Sequence, residues 1–278
     1  MIKLNEKIMT AVFFISAIVS ILAVALICLF LLANGIPAIG KIGALNFLLG
    51  REWSPADIPP EFGIFPMILG SLYITAGAVA IGVPIGILTA VFLAGVCPKR
   101  LYNLIKPGIN LLAGIPSVVY GFFGMVAIVP VFGNSILSAC ILLGVMILPT
   151  IIGIAESALC AVPENYYEGA LALGAGHYRS IFRVILPAAR SGIFAAVILG
   201  IGRVIGETMA VVMVAGNQAR MPVSVFKGIR TLTANIVIEM SYAADLHYEA
   251  LIATGVVLFI FILIINLSFS AIKRRTKI

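Results

Sequence analysis

Six long apolar stretches decide what this chain can fold into: residues 9–33, 65–93, 111–132, 135–155, 191–216 and 251–271. Crossing a bilayer's hydrocarbon as a helix takes about 20 mostly apolar residues, and each stretch reaches that length. Only 10% of the residues are charged, against about 25% in soluble domains. The reading is an all-α integral membrane protein with about six transmembrane helices in one domain, residues 1–278. An N-terminal helix and external loop fill residues 1–60, and the core fills 61–278. The first stretch follows Lys3 and Lys7 as a secretory signal would. Yet it runs well past the 7–15 apolar residues of a signal and ends without an A-x-A-like site, so it is expected to stay in the membrane.

The net charge of +7 is distributed in a way that argues against nucleic acid as a partner. With the N-terminus in the cytoplasm, twelve basic residues fall on that side: Lys3, Lys7, Lys99, Arg100, Lys106, Arg179, Arg183, Arg190, Lys273, Arg274, Arg275 and Lys277. Five fall outside: Lys41, Arg51, Arg220, Lys227 and Arg230. That asymmetry obeys the positive-inside rule and predicts both termini in the cytoplasm. Cys28, Cys97, Cys140 and Cys160 lack any metal-ligand or disulfide-framework spacing and read as small buried hydrophobes. His177 and His247 lie too far from other ligand types to suggest a metal site.

Proline and turn residues place an external loop at 34–64, with room for a short surface helix. Glycines stud the second stretch (Gly70, Gly77, Gly82, Gly86) and the third (Gly114, Gly121, Gly124), which lets helices approach one another closely. Pro116 and Pro149 are expected to bend or break their helices, and Gly202 with Gly206 reads as a close-packing pair. The cytoplasmic segment 156–190 carries helix punctuation: Pro163 at a first position, Glu164 in the first turn, Gly174 after the run that ends at Leu173. It predicts two helices, about 163–173 and 177–187, forming an elbow on the inner face. The external segment 217–249 suits docking of something outside.

Within the elbow, Glu168, Gly169 and Ala170 are followed by Gly174 and, nine residues on, by Val184, Ile185, Leu186 and Pro187. This resembles the EAA loop of ABC importer permeases, with its spacing intact. Further segments, G-I-P-S-V-V-Y-G-F-F from Gly114, G-R-V-I-G-E-T-M-A-V from Gly202 and R-T-L-T-A-N from Arg230, make the chain similar to the PstC-type permeases of phosphate-specific ABC importers, in the MetI-like class. The resemblance implies a prokaryotic plasma-membrane permease that passes phosphate inward. It also implies a PstA-type second permease, two PstB-type ATPase subunits, and a PstS-type phosphate-binding protein outside. Glu168, Gly169, Ala170, Gly174, Val184, Leu186 and Pro187 would then couple the chain to the ATPase. The chain has no G-x₄-G-K-[ST] loop, so it is expected to bind no cofactor itself and to leave ATP hydrolysis to its partners. A membrane-surface hairpin with no partner is the alternative for the elbow.

Arg203 and Glu207 sit within the fifth apolar stretch, where a charge costs about 2.5–3.5 kcal/mol on insertion scales and so tends to face protein or a water-filled path. An arginine stays ionised and meets two oxyanion oxygens at once. If the stretch is one helix, Arg203 lies near mid-depth and Glu207 shares its face, predicting an ion pair that an entering anion would compete for. The alternative is a pair that only braces the helix. Ser117, Tyr120 and Thr208 are candidate donors to the anion, or else bond within the protein. A self-sufficient secondary anion transporter remains the second reading. It would be marked by inverted repeats or paired broken helices, and neither is visible in the sequence. An intramembrane enzyme finds no catalytic set in the spans.

Overall fold

The computed structural model describes residues 2–275; Lys277, one of the basic residues counted above, lies outside them. Helix α1 (Ile2–Ile42) is followed by α2 (Ala44–Leu49), a two-residue hairpin of β1 (Trp53–Ser54) and β2 (Glu61–Phe62), and α3 (Phe65–Gly95). Next come α4 (Lys99–Ala113), then α5 (Ser117–Phe123) running through a π-helical turn (Gly124–Ile128) into α6 (Val129–Phe132). Helix α7 (Ile136–Cys160) leads to α8 (Glu164–Ala172) and to α9 (His177–Ser180), a second π turn (Ile181–Ile185) and α10 (Leu186–Ala188). Helices α11 (Arg190–Ile205), α12 (Met209–Val214), α13 (Leu232–Glu239) and α14 (Asp245–Arg275) complete the chain. Four helices are long and apolar enough to span a membrane, and two bent pairs raise the number to six. The protein is an all-helical, multi-pass membrane protein apart from the short hairpin.

Helix α7 is the centre of the bundle, and glycine is the reason α3 can lie against it. A Cβ on Gly77 would stand 2.3 Å from Cys140 Sγ, one on Gly82 2.8 Å from the Gly144 carbonyl oxygen, and one on Gly86 2.7 Å from Ile151. These glycines recur about every helical turn, so a seam of small residues faces α7 along much of α3. Gly200 of α11 meets Ile151 from the other side. The main core accordingly runs along α7 through Leu142, Leu143, Met146, Ile147 and Ile151, all essentially inaccessible.

Several expectations are corrected. The first helix does not stop near Ala33 but continues through Pro37 to Ile42, its C-terminal end packed on α14 with Lys41 paired to Glu249 at 2.6 Å. Pro149 lies inside an unbroken α7, where the surrounding helices bury it. Residues 99–106, read as loop, belong to α4, and Leu111–Ala113 close that helix instead of opening the third span. The turn at Gly114–Pro116 bends the chain by 101°, as expected where proline disfavours helical backbone in the residue before it. All four cysteines are free and only Cys140 is buried. Gly202 meets nothing within 4 Å, so Gly202 and Gly206 are not a packing pair; Gly206 ends α11.

The hairpin end of the bundle is tied together by one buried carboxylate that sequence patterning did not single out. Glu239 Oε2 accepts hydrogen bonds from Trp53 Nε1 at 2.8 Å and contacts His247 Nε2 at 2.8 Å, while Oε1 pairs with Arg230. Arg230 also donates to Asn235 Oδ1 at 2.9 Å and to the Asn217 carbonyl at 3.0 Å. The hairpin, the 217–231 segment, α13 and the start of α14 thus meet at one side chain. The ring of Tyr242 lies edge-on to His247, and its phenol is pushed above the ordinary value by desolvation first and by the Glu239 carboxylate second.

Glu239→Ala strands Arg230 and removes three partners at once. It should destabilise the protein by about 3–5 kcal/mol, read as a lowered melting temperature in detergent, whereas Lys41→Gln should cost at most about 1 kcal/mol. Gly82→Ala is expected to cost about 1–3 kcal/mol by overpacking the α3–α7 seam. Gly153→Ala, which meets nothing within 4 Å, should be neutral or stabilising in the same melt.

Candidate functional site

The fifth apolar stretch is not one helix. Helix α11 ends at Ile205, Gly206 to Thr208 break it, and α12 begins at Met209. Arg203 therefore occupies the last turn of α11, where the carbonyl end of the helix dipole favours a cation. Its side chain is half-buried and turned into the bundle, with Nη1 donating to Thr150 Oγ1 of α7 at 3.1 Å. Thr150 was missed in the sequence; it follows Pro149 in an apolar span, and its only signal was a hydroxyl at that depth.

Glu207 is half-buried too but does not pair with Arg203, and the expected ion pair is corrected. Because the helix ends between the two residues, the four-residue spacing no longer puts them on one face. The Glu207 carboxylate instead accepts from Ala210 N at 3.1 Å, capping one N–H in the first turn of α12 that has no partner within the helix. Its own carbonyl accepts from Thr233 Oγ1 at 3.0 Å, which fastens the break to α13.

The three hydroxyl candidates divide. Tyr120 is buried and donates to the Leu112 carbonyl at 2.8 Å, bracing the bend between α4 and α5. Thr208 bonds locally to the Gly206 carbonyl at 3.3 Å. Ser117 opens α5, half-buried, directly after Pro116. The cation and hydroxyl at the centre are thus Arg203 and Thr150, flanked by Tyr120 and by the capped break at Glu207.

The elbow is built as two helices. Its first, α8, ends at a turn in which Gly174 has φ +82°, a conformation open to glycine at little cost. Tyr167 Oη and His177 Nδ1, 2.7 Å apart, join the first helix to the second. Ala170 is buried in the angle, while Glu168 and Gly169 are exposed, and Val184 and Leu186 are half-buried ahead of exposed Pro187. Leu173 is 91% exposed, and with Tyr166, Gly169 and Val184 it lines a cavity of about 390 Å³. Among the described residues no group of three His, Cys, Asp or Glu side chains could hold a metal ion.

Comparison with known proteins identifies the fold and the family. Residues 82–278 match the family model described as "Binding-protein-dependent transport system inner membrane component". The probable ABC transporter permease protein YqgH of Bacillus subtilis is 37% identical over 266 residues, covering 90% of this chain and 86% of the relative. The phosphate transport system permease protein PstC of Mesorhizobium japonicum is 32% identical, covering 88% of this chain and 83% of the relative. Among solved structures, the inward-facing MetNI methionine ABC transporter superposes with a TM-score of 0.62 at 21% identity, over 76% of this chain and 95% of that one. A bacterial ABC transporter that imports alginate gives 0.60 at 15% identity, over 94% of this chain and 96% of the other. Up to six spans, an elbow with EAA spacing and a family match across most of the core converge: the chain belongs to the binding-protein-dependent transport system inner membrane component family.

Proposed function

We propose that this chain is the permease subunit of an ATP-driven phosphate importer, and that phosphate passes Arg203 on its way to the cytoplasm. The observation that carries the chemistry is the guanidinium of Arg203, held on Thr150 inside the bundle rather than neutralised by Glu207. With no carboxylate to displace, an oxyanion meets an available cation and a hydroxyl side by side. The donors of Arg203 suit two oxygens of a tetrahedral anion. The choice of phosphate over other oxyanions rests on similarity to proteins named PstC.

The elbow, with its exposed Leu173 and Tyr166, is the surface for a PstB-type ATPase, two copies of which would close beneath the bundle. A PstA-type permease supplies the second half of the path, and a PstS-type binding protein delivers phosphate to the outer face. Both termini are assigned to the cytoplasm of a prokaryotic cell. The chain serves as a conduit and lever, with no nucleotide loop of its own. A self-sufficient anion transporter would need helices broken at the membrane centre. The break at Gly206 to Thr208 does not decide between the two readings; the match to a binding-protein-dependent transport component favours the importer.

Labelled phosphate uptake by the reconstituted complex, with ATP inside and sulfate as competitor, tests this reading. Arg203→Gln should abolish uptake with the complex still assembled, and Thr150→Val should lower it on the order of ten-fold by removing one polar contact. Normal uptake by the Arg203→Gln protein would remove the arginine from the path, and uptake independent of ATP would remove the importer. Gly174→Val forces a β-branched residue into a left-handed turn and should uncouple ATP hydrolysis from uptake while phosphate-binding protein still docks outside.

A further inference from the structure

Helix α4 has three distinct faces. At 3.6 residues per turn, Tyr102, Ile105, Lys106 and Ile109 share one side, and the structure turns that side inward. Ile109 is buried in a cluster with Leu93 and Ile152, and Tyr102 Oη donates to Glu156 Oε1 of α7 at 2.8 Å. Lys106 pairs with the other oxygen of the same carboxylate. A second face carries Lys99, Asn103, Pro107 and Asn110, all exposed. The third carries Leu101, Leu104, Leu111 and Leu112, all exposed, with Leu104 and Leu111 each 74% accessible. Arg100, also exposed, stands one turn before Leu104, where the polar and leucine faces meet.

The turn of 101° into the helix that begins at Ser117 means that α4 and that span cannot both run along the bilayer normal. A helix with one apolar and one polar exposed face is matched by the membrane surface, where it lies in the plane with its apolar residues among the acyl chains. Glu156 neutralises Lys106, which leaves Lys99 and Arg100 directed at the headgroup layer, and the basic side of the protein is the side facing anionic lipid.

We propose that α4 lies in the headgroup layer of the cytoplasmic leaflet, with its leucine face in the acyl chains and Lys99 and Arg100 on anionic phospholipid headgroups. This assignment needs only a membrane-embedded chain and stands apart from the identity of the transported anion. Because Glu156 clamps α4 to the inner end of α7, four residues before that helix ends, the lipid surface sets the height of the elbow that follows.

The test uses the full-length chain with its associated subunits, in vesicles of phosphatidylcholine alone or mixed with phosphatidylglycerol. In a background with the four native cysteines replaced, spin labels are placed at Leu104→Cys and, separately, Asn103→Cys. Label at 104 should collide with oxygen and be shielded from a water-soluble nickel chelate, and label at 103 should show the reverse. Nickel access at 104 would put that face in water, and shielding from both reagents would put a protein partner there; either overturns the proposal. For the headgroup contact, phosphatidylglycerol enrichment among co-purifying lipids should fall up to about five-fold for each charge removed in K99Q and R100Q. An unchanged enrichment overturns the contact. Displacement of the lipid by excess inorganic phosphate would assign the two cations to the free anion and overturn it equally.

Discussion

The close approach of α3 to α7 is the constraint on which the rest of the bundle depends. Lipid tails are as apolar as the helices themselves, so burial of hydrophobic surface offers little to drive helices together inside a bilayer. Backbone proximity and dense packing must do it, and here they follow from Gly77, Gly82 and Gly86 facing Cys140, Gly144, Ile147 and Ile151. With α7 held there, its other surfaces are free to present Thr150 to Arg203 and Glu156 to α4. One rigid helix thereby carries the partner of Arg203 near its middle and the clamp of α4 near its C-terminal end.

Two buried carboxylates divide the structure's polar work between its faces. Glu239 gathers hairpin, loop and two helices at one end of the bundle, and Glu156 holds α4 at the other. Burying an ion is expensive unless both of its oxygens find donors. Glu239 meets that condition with Arg230, Trp53 and His247, and Glu156 with Lys106 and Tyr102. Geometric specificity is what such pairs contribute: each fixes one arrangement of segments that apolar contact alone would leave free to slide.

Much of this was legible in the sequence because span length and helix punctuation act locally. Six apolar stretches, Pro163 at the start of one elbow helix and Gly174 after it needed no knowledge of neighbours. What escaped depended on tertiary partners. Lys99, Arg100 and Pro107 make α4 look like a loop until its inward face is seen to pack on α7. Pro37 looks like a stop signal, yet the helix continues against α14. The four-residue spacing of Arg203 and Glu207 suggested a pair only because Gly206 and the following turn were read as more helix. The true neighbour of Arg203 lies 53 positions earlier in the chain, a separation at which spacing rules carry no information.

The hydroxyl of Thr233 on the backbone oxygen of Glu207 closes a ring of polypeptide that begins beside the guanidinium and returns to it through the exterior. A movement of α13 would either carry the break beside Arg203 with it or open that hydrogen bond.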